Sequence, residues 1–206
     1  PVAQTRALAA MAATATIVDD AFKPYYQGFM GVLKQVLSAP VKESTIELRN
    51  AAYIAVGKLA VAVGADMFQS DAEPVMNAVF SVLGSKGEAR DMQVVAVMHC
   101  AASVCTAMGS GFAKYLPSIV KHLLTQATQK YDYGFKVLGT NTGIQRSSVK
   151  GGIATSQISV RGVGDVSVAL NTSQMEEKYT ALELLADYAK LLPGQFAKFS
   201  VQVSWV

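Results

Sequence analysis

Four side chains able to bind a metal or act as nucleophiles sit close together in this chain: His99, Cys100, Cys105 and His122. A zinc site needs three or four such donors converging on one point. His99 and Cys100 are neighbours, so on a helix they diverge by about 100°. Cys100 and Cys105, five residues apart, also fall on different faces, which disfavours a mutual disulfide and suits a reducing compartment. No Cys-x-x-Cys occurs, so no metal ligand set is assigned. The glycines at 139, 143, 151–152, 162 and 164 form neither a G-x-G-x-x-G fingerprint nor a P-loop, so no nucleotide or other cofactor is expected. No Ser, His and acid fall in a recognisable catalytic motif. With no catalytic, cofactor or metal residues to name, the chain is not read as an enzyme, and its chemistry must be that of a surface.

The elements that build such a surface repeat. Counting from Phe112, apolar residues fall at offsets 7, 8, 11, 12 and 15: Ile119, Val120, Leu123, Leu124 and Ala127. That spacing lines one face of a helix. From Phe68 the same offsets give Val75, Met76, Val79, Phe80 and Leu83, and from Phe22 they give Phe29, Met30, Leu33, Lys34 and Leu37, with Lys34 the one exception. A fourth copy opens at Phe196 and carries Phe199 where Tyr25 and Tyr115 stand. The openings lie 46, 44 and 84 residues apart, the last being one 44-residue period plus 40 extra residues. A period of this size built from two helices predicts an all-α solenoid of HEAT or armadillo type, with about 3.5 helix pairs in 206 residues.

Composition agrees: 51% of the residues are apolar and 16% charged, as expected where internal helices bury two flanks. The net charge of +3 is mild, and the Lys and Arg residues never run together as a basic stripe, so direct nucleic-acid binding is not expected. Ala7 to Val18 is uncharged and Ala-rich and, with Arg6, faintly resembles a transit peptide; a buried helix is the preferred reading. Met92 to Ala113 is 22 uncharged residues, long enough for a membrane span. It holds Gln93, His99, Ser103, Thr106 and Ser110 and is broken by Gly109 and Gly111, so it reads as a solenoid helix instead.

In chain order, helices are expected over about 4–18, from Pro24 to Leu37, from Ser44 to Gly64, over 69–83, over 89–108, from Phe112, and from Ser173 to Pro193. Ser44-x-x-Glu47, Ser85-x-x-Glu88 and Ser173-x-x-Glu176 have the pattern of capping boxes at first-helix starts. The 40 extra residues lie within about 131–172, an insertion rich in Gly, Ser, Thr and Val. Residues 133–138, 157–160 and 166–170 alternate with period two, and Gly162-Val-Gly164-Asp165 suits a turn, so a long loop or small β excursion is expected. The whole of 1–206 is read as one solenoid unit around this insertion.

Asp19-Asp-Ala-Phe22-Lys-Pro-Tyr-Tyr26, Phe29-Met30, the helix end from Gly57 to Gly64, Met67-Phe68-Gln-Ser-Asp71-Ala and Phe112-Ala-Lys-Tyr-Leu-Pro117 resemble the karyopherin-β (importin-β) superfamily, in particular its importin-5 or importin β-3 branch. Tyr133-Gly-Phe-Lys-Val137 and Met175-Glu-Glu-Lys178 extend the likeness across both flanks of the insertion. The resemblance implies a middle fragment of a longer HEAT-repeat receptor that carries protein cargo through the nuclear pore. It implies contact with Phe-Gly nucleoporins, release of cargo by Ran-GTP, shuttling between cytoplasm and nucleus, and no catalysis. Family members are usually acidic and carry an acidic run in the insertion; this chain is at +3 and has Arg146, Lys150 and Arg161 there.

In this family the second helices line the concave face. Opposite their apolar stripes stand Gln35, Asn77, Ser81, Lys121 and Thr125, the candidate protein contacts. None is a carboxylate, as a basic localisation peptide would want, so the competing reading is a solvated spacer. The alternative to transport is a HEAT scaffold of the phosphatase or condensin type. No membrane partner is expected. The apolar residues Ala7, Leu8, Ala10, Met11 and Ala13 at one end and 201–206 at the other predict self-association through uncapped ends.

Overall fold

Each second helix starts from a buried phenylalanine. Phe22, Phe68 and Phe112 are buried, as is Phe196 at the start of the fourth copy. In the copies that carry a second aromatic three residues on, the two rings meet: Phe22–Tyr25 at 6.2 Å, Phe112–Tyr115 at 5.5 Å and Phe196–Phe199 at 6.2 Å between centroids. A 3-10 turn accompanies each of these pairs, over Asp19–Tyr25, Gly109–Lys114 and Ala197–Phe199. The wider helix then follows with its apolar face inward.

The computed structural model describes residues 2–129, 133–137, 153–162 and 164–203. Its helices are α1 (Val2–Val18), α2 (Tyr26–Ser38), α3 (Ile46–Gly84), α4 (Glu88–Asp91), α5 (Val94–Met108), α6 (Leu116–Thr128), α7 (Thr172–Leu191), α8 (Pro193–Phe196) and α9 (Ser200–Val203). α3 is two helices, 46–63 and 65–84, turned sharply at Gly64. Its φ of 75° and ψ of 178° are open to glycine and strained for any side chain. The helix end expected at Gly64 is therefore a corner between the two members of one repeat.

α1 packs on α3, α3 on α5 and α5 on α7, while α2 returns against α3 and α6 against α7. The same neighbour relation recurs along the chain, and the core is one continuous cluster from Leu8 to Phe196. This is the α-solenoid that the 44-residue period predicts. Leu123, at an offset filled by an apolar residue in every complete copy, is fully enclosed. Glu43–Gly84 and Val94–Lys114 are long and apolar enough to cross a membrane. Gly64 and Gly109, both at positive φ, interrupt them, and α3 and α5 bury their apolar faces against each other.

Two expected capping boxes do not form. Ser44 lies inside a 3-10 turn, Glu43–Thr45, and α3 begins at Ile46 without a side-chain cap. Thr45 instead folds back, its Oγ1 accepting from Lys42 N–H at 3.2 Å and donating to Lys42 C=O at 2.8 Å. Ser85 closes the preceding helix, its hydroxyl donating to Val82 C=O at 2.7 Å. Gly87, with φ of 102°, precedes α4 in its place. The side chain of Ser173 lies outside the described residues. The helix expected over 89–108 is split, α4 stopping at Asp91 and α5 starting at Val94.

The insertion contains β1 (Tyr133–Val137), β2 (Ile153–Val160) and β3 (Gly164–Asn171), antiparallel in the order β1-β3-β2. β2 and β3 form a hairpin with Val160 opposite Gly164, and Gly162 and Gly164 at φ of 87° and 97° make its turn. β3 passes into α7 without a linker.

α3 and α5 approach closely at Gly57. A Cβ placed there would sit 2.8 Å from Ser103 Cβ and 3.5 Å from Cys100 Cα. Alanine favours helix by up to about 1 kcal/mol over glycine, yet Gly57→Ala is expected to destabilise by about 1–3 kcal/mol through overpacking. Ser103→Gly in the same chain should return part of that loss; urea titration of the single and double variants measures both.

Candidate protein-binding surface

The apolar stripes of α2, of residues 65–84 and of α6 point inward, with Leu33, Met76 and Val120 among the fully buried side chains. Gln35, Asn77, Ser81, Lys121 and Thr125 are all exposed on the opposite face. They sit nine or thirteen residues after the opening phenylalanines, so each pair on one helix is one turn apart. The fold brings Lys121 and Thr125 together on one wall of a groove between α6 and the turns around α9. Thr125 Oγ1 donates to Lys121 C=O at 2.9 Å. Asn77 and Ser81 share the second half of α3, and Gln35 stands near the end of α2.

Among the described residues no three His, Cys, Asp or Glu side chains converge as a metal site would require. His99 is exposed on α5 while Cys100 and Cys105 are buried thiols. Burial pushes both thiols up to about 12, which keeps them protonated and poor ligands or nucleophiles. His122 lies on α6 beside Leu83, Met98, Ile119 and Tyr188. Burial, then the charge of Arg90, lowers its pKa to about 4.

That lowering sets a pH response. The folded protein keeps His122 neutral down to about pH 4, whereas an unfolded histidine takes up its proton near 6.5. The unfolded chain therefore binds more protons between these values, and stability falls as pH drops through 6.5 and levels off near 4. Between pH 7.5 and 5 this amounts to about 2 kcal/mol. His122→Leu should lose less stability over that interval than the parent; equal losses in urea titrations at the two pH values would reject the assignment.

The face also has polar residues that periodicity alone passes over. Lys34, the exception in the first stripe, forms an ion pair with Asp71, which is buried on the next repeat. Asp71 occupies the offset where Tyr25, Tyr115 and Phe199 stand in the other copies. Tyr26 O–H donates to its other carboxylate oxygen at 2.6 Å, and burial followed by this bond raises the phenol's pKa. Two departures from the repeat template thus satisfy each other across one repeat junction. Lys34→Leu and Asp71→Tyr should each cost about 1–3 kcal/mol, by stranding a buried partner, and the double variant should cost less than their sum. A double-mutant cycle with no coupling would show that the pair is incidental.

A second set lies on the first helices at one repeat position: Arg49, Gln93 and Glu177, 44 and 84 residues apart and all buried. Arg49 Nε donates to Gln93 Oε1 at 3.1 Å, and its Nη1 donates to the carbonyls of Val36, Leu37 and Ala39 at 2.8–3.2 Å. Gln93 Nε2 donates to Ala89 C=O at 2.7 Å. Arg90 Nη1 lies 3.4 Å from Glu177 Oε2. Gln126, oriented to satisfy its neighbours, accepts from Arg90 Nη2 at 2.6 Å and donates to Glu177 Oε2 at 3.2 Å. This polar rail ties neighbouring repeats together, from Arg49 across to Gln93 and from Arg90 and Gln126 across to Glu177.

Residues 2–134 match the family model for importin subunit beta-1-like proteins, TPR repeats. Importin subunit beta-3 of Saccharomyces cerevisiae is 25% identical over 200 residues, covering 97% of this chain and 18% of that protein. The chain thus spans about a fifth of the length of that relative. Crystal structures of Kap121p bound to Ste12p and of Kap121p bound to Nup53p superpose with a TM-score of 0.74 each, at 24% identity over 97% of this chain and 18% of theirs. At that identity the likeness is one of fold.

Proposed function

Because the chain belongs to the importin subunit beta-1-like family of the karyopherin-β superfamily, we propose that it serves in a nuclear transport receptor that carries protein cargo through the nuclear pore under the control of Ran-GTP. The observation that carries this reading is the family match over residues 2–134 on an α-solenoid. A solenoid face holds an extended partner by many shallow contacts and needs no catalytic group. Gln35, Asn77, Ser81, Lys121 and Thr125 are the residues proposed to meet protein, since all are exposed on the second-helix face. The Kap121p–Nup53p complex supports nucleoporin contact and the Kap121p–Ste12p complex supports cargo contact for this chain. Shuttling between cytoplasm and nucleus follows from that role.

The exposed apolar residues Met11 and Ile17 on α1 and Val201 on α9 are the proposed sites of self-association at micromolar concentration. The test of the transport reading is binding of the protein to Ran loaded with a non-hydrolysable GTP analogue, against Ran-GDP. Preference for the GTP form supports transport. Equal or absent binding of both forms favours a scaffold of another kind.

A further inference from the structure

We infer that the groove between α6 and the turns around α9 binds a short acidic peptide segment with an apolar anchor, the reverse in charge of a basic localisation peptide. This rests on the reading that the second-helix face contacts protein and names the class of partner for one part of it. The groove is open to solvent and has a volume of about 480 Å³, within the usual range of binding clefts. Leu124, Phe199 and Pro117 make its apolar lining, and Lys121, Thr125 and Gln202 its polar one. Leu124 and Phe199 are half-buried, so an apolar side chain seated between them would complete their cover.

Charge selects the occupant. Lys121 lines the groove, and Lys114 and Lys198 are exposed on the segments that flank it. Residues 109–129 and 193–203, which build both walls, contain no Asp or Glu. A basic peptide would find three like charges and no partner, whereas carboxylates would find lysines on both sides. Polar groups are matched to a peptide backbone as well. The hydroxyl protons of Thr125 and Thr128 are committed to the carbonyls of Lys121 and Leu124, at 2.9 and 2.7 Å. Their oxygens are left as acceptors for peptide N–H groups. This chain's own insertion is a poor occupant on the same ground, since residues 138–152 include Arg146 and Lys150 and no carboxylate.

The test uses the full chain and two fluorescein-labelled peptides, each with a Leu-Phe centre, one flanked by glutamates and the other by lysines, read by anisotropy. The glutamate peptide should bind at least tenfold more tightly than the lysine one, and should weaken as salt rises. Lys121→Glu should cost at least tenfold, and Thr125→Trp, which fills the groove, should abolish binding; both sites are exposed, and thermal melts check that the variants fold. Preference for the lysine peptide, or unchanged affinity in both variants, overturns the acidic-groove assignment. If neither peptide binds while GTP-loaded Ran does, the groove assignment fails and the transport reading stands; if Ran also fails to bind, both fall.

Discussion

Replacing Arg49 with alanine should destabilise the protein by about 3–5 kcal/mol, because it leaves several enclosed acceptors without their donor. Its guanidinium is enclosed and makes four hydrogen bonds, one to Gln93 and three to the carbonyls that end α2. Those carbonyls are among the last four of their helix and have no partner within it, and they mark the negative end of its dipole, where a cation is favoured. One side chain therefore closes α2, holds the entry to the next repeat and reaches on to the repeat after. Arg49→Lys should recover less than half of the loss, because a point charge cannot reproduce the planar fork. Chemical denaturation of both variants measures this; a loss below about 1 kcal/mol for alanine would show that water replaces the guanidinium at the carbonyls.

Phe112→Ala is expected to cost a similar amount, about 3–5 kcal/mol, for a different reason. The ring is fully enclosed, stacked on Tyr188 at 5.7 Å with 11° between planes and in contact with Tyr115 at 5.5 Å. Tyr188 belongs to α7, so the phenyl group packs the third repeat against the fourth, across the insertion. The close-packed site cannot collapse onto the hole without shifting α7. Phe112→Leu should retain more than half the stability lost by alanine. Thermal melts decide it: if the two variants melt together near the parent, the ring is not a keystone of that junction.

The solenoid was readable because a 44-residue period reports packing that every repeat must satisfy: Phe68 and Phe112 open equivalent helices, and the offsets that follow them fill the core. The strands were readable for a similar reason, since 157–160 and 166–170 alternate as a pleated hairpin must. The capping boxes misled because Ser-x-x-Glu states a local option, and Thr45 and Ser85 found other backbone partners nearby. The polar rail has a sequence signal of its own: Arg49, Gln93 and Glu177 fall on the same repeat spacing as the phenylalanines, outside the apolar register. Lys34 was visible as an exception, and its partner was not, because Asp71 departs from the template at a different offset. The groove joins α6 to helical turns more than 60 residues away in sequence, a proximity no local pattern carries.

The sheet has a consequence for how this family of chains can vary. Tyr133, near the exit of α6, pairs with Leu170, two residues before α7 begins, so the two ends of the excursion are held about 5 Å apart by their own ladder. Whatever length of chain runs out between them, Tyr133 and Leu170 meet at one fixed gap. Growth or loss of residues between Val137 and Ile153, whose flanks are held by the ladder, should therefore leave the helical stacking in place, at an entropic cost that rises only with the logarithm of length. Such a position is a natural port: sequence can be written into it, by evolution or by an engineer placing a fluorophore or a tag, while the helices keep their stacking.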